Sequence, residues 1–144
     1  MTPYYQDTAV TIYHADCREI LPVITFDVVV TDPPYGVKAV ERPHAKHKPG
    51  NVSATWDDNV PYDLLSMFGD KPVIWFGASV KLLESLEEFS VKPDRILIWA
   101  PAFSLSMSSS NGIAYRYHVI YTWRLPVVSP TIHDVFVDNT EAHN

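Results

Sequence analysis

One stretch carries the clearest structural pattern of the chain: Phe26-Asp27-Val28-Val29-Val30-Thr31-Asp32-Pro33-Pro34-Tyr35-Gly36. Residues 26–31 are mostly apolar and β-branched, which is typical of a strand covered on both faces in a parallel sheet. Pro33 and Pro34 have no backbone N–H to donate, so they end the strand. The stretch therefore predicts a buried strand with Asp32 at its carboxyl end.

Strands and helices alternate through the rest of the sequence. Further strands are predicted at residues 10–14, 72–76, 95–99 and 115–123. Helices are predicted at 18–21, from Pro61 through Leu64, Leu65 and Phe68 to Gly69, and from an N-cap at Ser79 along Leu82, Leu83, Leu86 and Phe89. Residues 36–58 and the Ser-rich 101–112 predict loops, and residues 125–144 predict an irregular tail.

This alternation predicts a single α/β domain over residues 1–144 with a mostly parallel sheet. In such sheets ligands bind beyond the carboxyl ends of the strands, which is where Asp32 falls. The hydrophobic content of 47% is typical of a soluble globular protein and too high for disorder. No stretch approaches the ~20 apolar residues that span a bilayer, and the N-terminus has no secretory pattern. We therefore expect a cytoplasmic protein without a membrane segment.

Charge and cysteine content narrow the classes of site. The single cysteine, Cys17, excludes an internal disulfide framework and a multi-thiolate metal site, and no metal site is predicted. The net charge of -6 argues against DNA binding through the whole surface. The segment between Gly36 and Asn51 is nevertheless basic, with Glu41 as its one acidic residue. Its basic residues are Lys38, Arg42, Lys46 and Lys48. Such a segment is either a solvated loop or a local DNA-binding surface.

The apolar strand followed by Asp-Pro-Pro-Tyr-Gly resembles the signature of the amino-group DNA methyltransferases, which methylate adenine N6 or cytosine N4. The upstream run Ile12-Tyr13-His14-Ala15-Asp16-Cys17 extends the resemblance to the bacterial and phage subgroup, in which the catalytic motif precedes the donor-binding motif. The resemblance is strong over residues 8–38 and weaker through Trp123. It implies a Rossmann-like, three-layer α/β/α sheet that uses S-adenosylmethionine (SAM) as cofactor and double-stranded DNA as partner.

The resemblance assigns catalysis to Asp32, Pro33, Pro34 and Tyr35. The Asp32 carboxylate and, by resemblance, the Pro33 carbonyl would accept the hydrogens of an exocyclic amine, so that its lone pair faces the methyl donor. Pro34 stiffens the turn, and Tyr35 offers a ring on which a base rotated out of the duplex can stack. The structural alternative is that the tetrapeptide is only a turn.

The resemblance assigns cofactor binding to Asp16 and Cys17, together with Asp32, and it places Lys38 and the other basic residues of the loop against DNA. Each assignment has a structural alternative. Asp16 could be an ordinary helix N-cap, and Cys17 a packed small residue. Trp56 could stack on a base or anchor the loop.

The sequence departs from the family at the donor-binding segment. The family places a Gly-rich loop there, whereas no two of the five glycines of this chain have a Gly-x-Gly spacing. We therefore expect the donor-binding strands to be missing, which would leave Val28 to Val30 uncovered at a sheet edge. A truncated or split enzyme, with the segment supplied by a second chain, is one interpretation. An inactive remnant that binds DNA or a partner is the other. Aspartate at the first motif position favours adenine over cytosine.

Overall fold

The computed structural model describes residues 1–38, 56–101, 107–108, 114–115, 117–126 and 135–138. Its strands are β1 (Tyr5–Gln6), β2 (Thr11–Ile12), β3 (Val29–Thr31), β4 (Val73–Gly77), β5 (Arg95–Pro101), β6 (Met107–Ser108), β7 (Ala114–Tyr115), β8 (His118–Trp123) and β9 (Val135–Asp138). Its helices are α1 (Cys17–Ile20), α2 (Leu64–Met67) and α3 (Leu82–Glu88), with 3-10 turns at Leu21–Val23 and Ser79–Lys81.

Five strands form one mixed sheet in the order β3-β4-β8-β5-β9. β3 is parallel to β4 and β5 is parallel to β9, whereas β8 lies antiparallel between β4 and β5. The predicted α/β class is therefore confirmed. Four of the five strands run in the same direction and β8 alone is antiparallel to them, so the prediction of a mostly parallel sheet is confirmed for the described strands. The sequence between β5 and β8 has no helical pattern, and an antiparallel neighbour needs no crossover helix.

The short strands differ most from prediction. The strand predicted at 10–14 shortens to β2, which pairs with β1 outside the main sheet, with Tyr5 opposite Ile12. β6 and β7 pair with each other, although β6 falls in the predicted Ser-rich loop. The predicted irregular tail, 125–144, contains β9, which pairs with β5. The run Val135-Phe136-Val137 favours a strand, but the turn residues and polar residues around it hid that preference.

The main hydrophobic cluster lies on one face of the sheet, although Ile120 and Thr122 of β8, which point to the other face, are also buried. Alternate residues of β4 and β8 face the same way, and their register places Val73 opposite Trp123 and Trp75 opposite Tyr121. These four side chains are buried. α2 and the end of α3 contribute the remaining large members of the cluster, which are Leu64, Leu65, Phe68 and Phe89. Helices α2 and α3 contribute residues to this cluster and so cover one face of the sheet. A helical layer on the other face, which a three-layer arrangement needs, stays a prediction.

Phe89 is the residue around which the core is packed. Its ring makes edge-on contacts with four aromatic rings, at centroid distances of 4.8 Å to Trp123, 5.1 Å to Tyr62 and Tyr121, and 5.6 Å to Trp75. Such edge-to-face pairs are worth about 0.5–1.5 kcal/mol each beyond the area they bury. The ring therefore joins the β4–β8 face to the chain before α2.

Two predictions for the third helix are wrong. Ser79 lies inside the 3-10 turn, and its side chain makes no capping bond. Leu83 is 75% exposed, whereas Phe89 is only 2% exposed. Helix α3 begins at Leu82, and positions 82, 86 and 89 recur on one face of a helix. Leu83 falls beside that face and points to solvent.

β3 forms the edge of the described sheet, with β4 as its partner. The prediction of a buried strand covered on both faces over residues 26–31 is wrong, because β3 is limited to Val29–Thr31 and Val28 and Val30 are 48% and 64% exposed. The predicted uncovered edge is therefore confirmed for the part of the chain that the structure describes. Within the same residues, no helix is long and apolar enough to cross a membrane.

We expect Phe89→Ala to lower the free energy of unfolding by about 3–5 kcal/mol, because it removes four aromatic contacts and leaves a cavity. Leu83→Ala is the matched control in the same helical region, and it should change stability by less than about 0.5 kcal/mol because Leu83 is exposed. Urea denaturation followed by tryptophan fluorescence measures both. Similar losses in the two variants would contradict the placement of Phe89 at the centre of the core.

Candidate active site

The tetrapeptide begins where β3 ends. Asp32 directly follows Thr31, which is paired with Trp75 of the parallel neighbour β4. The side chain of Asp32 is exposed and that of Pro33 is buried. The predicted strand therefore delivers an accessible carboxylate to the carboxyl end of a parallel strand pair, where ligands bind in α/β sheets.

The side chain of Tyr35 reaches back to the carboxylate of Asp32. Its hydroxyl donates a hydrogen bond to Asp32 Oδ1. Partial burial of the ring, and then the hydrogen bond to Asp32, raise the pKa of the Tyr35 hydroxyl above its usual range. Tyr35 therefore stays neutral at physiological pH and remains a donor to the carboxylate.

Hydrogen bonds to the side chain of Asp57 also hold the turn in place. The sequence analysis did not predict this role for Asp57. The Asp57 side chain is 3% exposed. Its Oδ1 accepts hydrogen bonds from the backbone N–H groups of Tyr35, at 2.7 Å, and Gly36, at 3.0 Å. A single aspartate more than twenty residues beyond the motif has no periodic signal, and Asp57-Asp58-Asn59 resembles a surface turn. Only the folded chain brings this carboxylate to the motif.

Gly36 adopts a conformation that favours glycine. Its φ is +65°, in the left-handed region. A Cβ at this position would lie 3.2 Å from Val60 Cγ2 and 3.4 Å from the Val60 backbone nitrogen. The close approach of Val60 and the positive φ together explain why the motif continues with glycine.

A groove of about 490 Å³ runs beside the motif. It brings Cys17, a predicted cofactor residue, together with Pro33 and Pro34. Trp56 also lines the groove and is 63% exposed, so its ring does not anchor the chain by burial. The remaining lining residues are Arg18, Thr31, Asn59, Val60, Pro61, Asp63 and Leu64. The groove therefore combines apolar walls with a few polar groups, as ligand sites commonly do.

Asp16 has the structural role that was the alternative to cofactor binding. Its Oδ1 accepts the backbone N–H of Arg18 at 2.9 Å, which makes Asp16 the N-cap of α1. This bond is the main cause that lowers the pKa of the Asp16 carboxyl. The Arg18 side chain in turn binds both oxygens of Asp63, at 3.0 and 3.1 Å. Asp16 itself is not among the residues that line the groove, whereas its neighbour Cys17 is exposed and lines it.

Of the four predicted DNA-binding residues, Lys38 alone lies within the described part of the chain. Lys38 is exposed and has a φ of +50°, and its backbone N–H donates to the carbonyl of Asp57 at 3.2 Å. Arg42, Lys46 and Lys48 lie outside the described residues. Within the described ranges, no three His, Cys, Asp or Glu side chains are grouped closely enough to hold a metal ion.

No protein-family model matches the sequence, and a search of curated proteins also finds no match. Fifteen chains of solved structures do match. One is a crystal structure of the M1.HpyAVI–SAM complex, which aligns with a TM-score of 0.44 and 15% sequence identity. The alignment covers 76% of this chain and 52% of that chain, so this chain spans about half the length of that protein.

We expect Gly36→Ala to destabilise the chain more than Gly69→Ala. Both glycines have a positive φ, so each alanine costs about 1–2 kcal/mol for the left-handed conformation. A Cβ at Gly69 meets no atom within 4 Å, whereas one at Gly36 meets Val60, which adds about 1 kcal/mol or more for overpacking. Urea denaturation of the two variants measures the difference. Equal losses would mean that Val60 moves aside without cost.

Proposed function

We propose that this chain carries the catalytic part of a SAM-dependent DNA methyltransferase, which transfers a methyl group to the exocyclic amine of a base rotated out of the duplex. The observation that supports this proposal is the exposed carboxylate of Asp32, at the end of β3 in a turn that Tyr35 and Asp57 hold by hydrogen bonds. A plain surface turn has no need of a buried carboxylate beneath it. The motif therefore has the fixed geometry that catalysis by positioning requires.

The chemistry follows from the acceptors at this turn. The lone pair of an aromatic amine is delocalised into the ring, which makes the nitrogen a weak nucleophile. Asp32 would accept one amine hydrogen, and the Pro33 carbonyl would accept the other by family resemblance. Two fixed acceptors favour a more pyramidal nitrogen and stabilise the positive charge that develops on it. SAM, when bound, would supply an electrophilic methyl group to this nitrogen and leave as the thioether, and the methylated amine would release one proton to solvent by way of its hydrogen bond to Asp32.

The groove beside the motif fits a nucleoside-sized ligand. Its volume of about 490 Å³ falls within the roughly 300–1,000 Å³ of small-molecule sites. Cys17 and Pro34 line it, and the exposed ring of Trp56 offers a flat surface for a heterocycle. We propose that these residues, with Asp32, hold the methyl donor. Asp16 would act through α1, because its carboxylate already caps that helix.

The DNA side of the proposal rests on charge and on the motif aromatic. Lys38 follows the motif directly and is exposed, and Arg42, Lys46 and Lys48 extend the same basic segment in sequence. Cations near the site would bind phosphates, in a chain whose net charge is otherwise negative. The ring of Tyr35 would stack on the target base. Adenine N6 is the proposed amine, because the first motif residue is aspartate.

Two further parts of the proposal come from the sequence. None of the five glycines has the spacing of a donor-binding loop, so a second chain is proposed to supply that Gly-rich segment. A cytoplasmic setting, in a bacterium or a phage-infected cell, is proposed because both DNA and SAM are available there.

We expect the chain, when mixed with a polypeptide that carries the Gly-rich segment, to transfer labelled methyl groups from SAM to unmethylated DNA, and digestion to nucleosides should place the label in N6-methyladenine. Asp32→Ala should reduce transfer by about 10²–10³-fold, because one preorganised hydrogen-bonding group is lost. The transfer rate of Asp32→Asn should lie between those of the wild type and Asp32→Ala, because the amide oxygen of asparagine still accepts a hydrogen bond. Asp27→Ala is the matched control, because it removes an exposed carboxylate five residues earlier, and it should leave transfer unchanged.

Label in N4-methylcytosine would preserve the mechanism and change the base. The assay is also run with the chain alone. The proposal is wrong if DNA remains unlabelled in both formats, or if Asp32→Ala and Asp27→Ala have the same effect.

A further inference from the structure

Asp57 is unusual among the described residues because it is a carboxylate with almost no exposure. The other buried polar side chains of the described core are the hydroxyls of Ser85 and Thr122. Burial of a charged group costs free energy unless hydrogen bonds compensate for the lost water. The bonds that Asp57 makes to the motif therefore stabilise its own position as well as that of the turn.

Asp57 makes hydrogen bonds at Tyr35 and Gly36 and at Lys38, two residues beyond. Its side chain accepts from the N–H groups of Tyr35 and Gly36, and its carbonyl accepts from the N–H of Lys38. The side-chain bonds join residues 22 and 21 positions apart in the sequence. One residue thus holds the end of the tetrapeptide and the first residues after it.

These bonds fix the direction of the Tyr35 side chain. The peptide unit is planar, so an N–H that is held in place also fixes the carbonyl on the other side of that unit. The Tyr35 N–H fixes the plane before the Tyr35 Cα, and the Gly36 N–H fixes the plane after it. With both planes set, the Cα–Cβ bond of Tyr35 can point in only one direction. From that direction one χ1 rotamer brings the hydroxyl to Asp32, and the hydrogen bond to Asp32 holds it there.

We infer that Asp57 is a positioning residue, which acts through the backbone of Tyr35 to set the Tyr35 ring and hydroxyl against Asp32. The consequence for the reaction rests on the proposed function. The orientation of Tyr35 by Asp57 does not depend on the proposed function, and it can be measured in the chain without any ligand.

The test compares Asp57→Ala and Asp57→Asn with the control Asp58→Ala, which removes the neighbouring carboxylate, one that is less buried. The first measurement is NMR of the ligand-free chain, following the amide protons of Tyr35 and Gly36 and the ring signals of Tyr35. In Asp57→Ala both amide protons should shift upfield and exchange with water at least about ten-fold faster, because their acceptor is gone. The Tyr35 ring signals should move with them. Asp57→Asn keeps a side-chain oxygen that can accept, so its shifts should be intermediate.

The second measurement is methyl transfer. Asp57→Ala should lower kcat at least about ten-fold while the KM for SAM changes less than about three-fold. The reason is that a turn without these hydrogen bonds misplaces Tyr35, which slows the reaction more than it weakens donor binding. Asp57→Asn should recover part of kcat, and Asp58→Ala should match the wild type. A residue needed only for stability would lower the folded fraction without this separation of kcat from KM.

The outcomes separate the inference from the proposed function. If the Tyr35 and Gly36 amides and the Tyr35 ring are unchanged in Asp57→Ala, the inference is overturned, whatever the activity. The same holds if Asp58→Ala produces equal changes, or if an active wild type loses no kcat in either Asp57 variant. If the wild type transfers no methyl group, the proposed function fails, and Tyr35 ring shifts confined to the Asp57 variants still support the positioning role. If Asp57→Ala does not fold, the inference is tested by the same amide and ring signals of Tyr35 and Gly36 in Asp57→Asn.

Discussion

The packing of four aromatic rings around Phe89 is the interaction on which the described structure depends. It joins Trp75 of β4 with Tyr121 and Trp123 of β8, and it adds Tyr62 from the segment before α2. β4 is in turn the strand against which β3 is aligned. The aromatic core thus fixes β4, β4 fixes β3, and β3 fixes the position at which the carboxylate of Asp32 emerges.

The motif lies where the buried part of the fold meets solvent. Asp32 is exposed, Pro33 is buried, and Pro34 and Tyr35 are half-buried, so the carboxylate faces solvent while the residue after it is anchored in the fold. Residues 56–64 pass beside it and contribute both the carboxylate of Asp57 beneath the turn and the ring of Trp56 in the groove. Support for the motif therefore comes from two sides, the end of the strand and a segment far away in sequence.

The sequence predicted local features well and long-range ones poorly. The strand before Asp32, the strand at 72–76 and the helical turn near residue 18 each depend on a few neighbouring residues, and they are found close to where they were expected. The antiparallel position of β8 and the pairing of β9 depend on which strands meet, which hydrophobic pattern does not encode. Asp57 was missed for the same reason, since its partners lie more than twenty residues away. The role of Asp16 was open in the sequence, because an N-cap and a ligand-binding carboxylate have the same local pattern.

In the proposed reaction, the hydrogen bond between Tyr35 and Asp32 would make binding of the amine an exchange of hydrogen-bond donors. A carboxylate without a donor would have to lose bound water before it could accept an amine. The exposed carboxylate has several acceptor sites, so the amine would replace either the Tyr35 hydroxyl or a bound water and leave the number of hydrogen bonds about the same. In the proposed reaction, little net affinity would then come from Asp32. The discrimination between bases would arise from stacking on Tyr35 and from the surroundings of the base, and the carboxylate would contribute mainly to the rate.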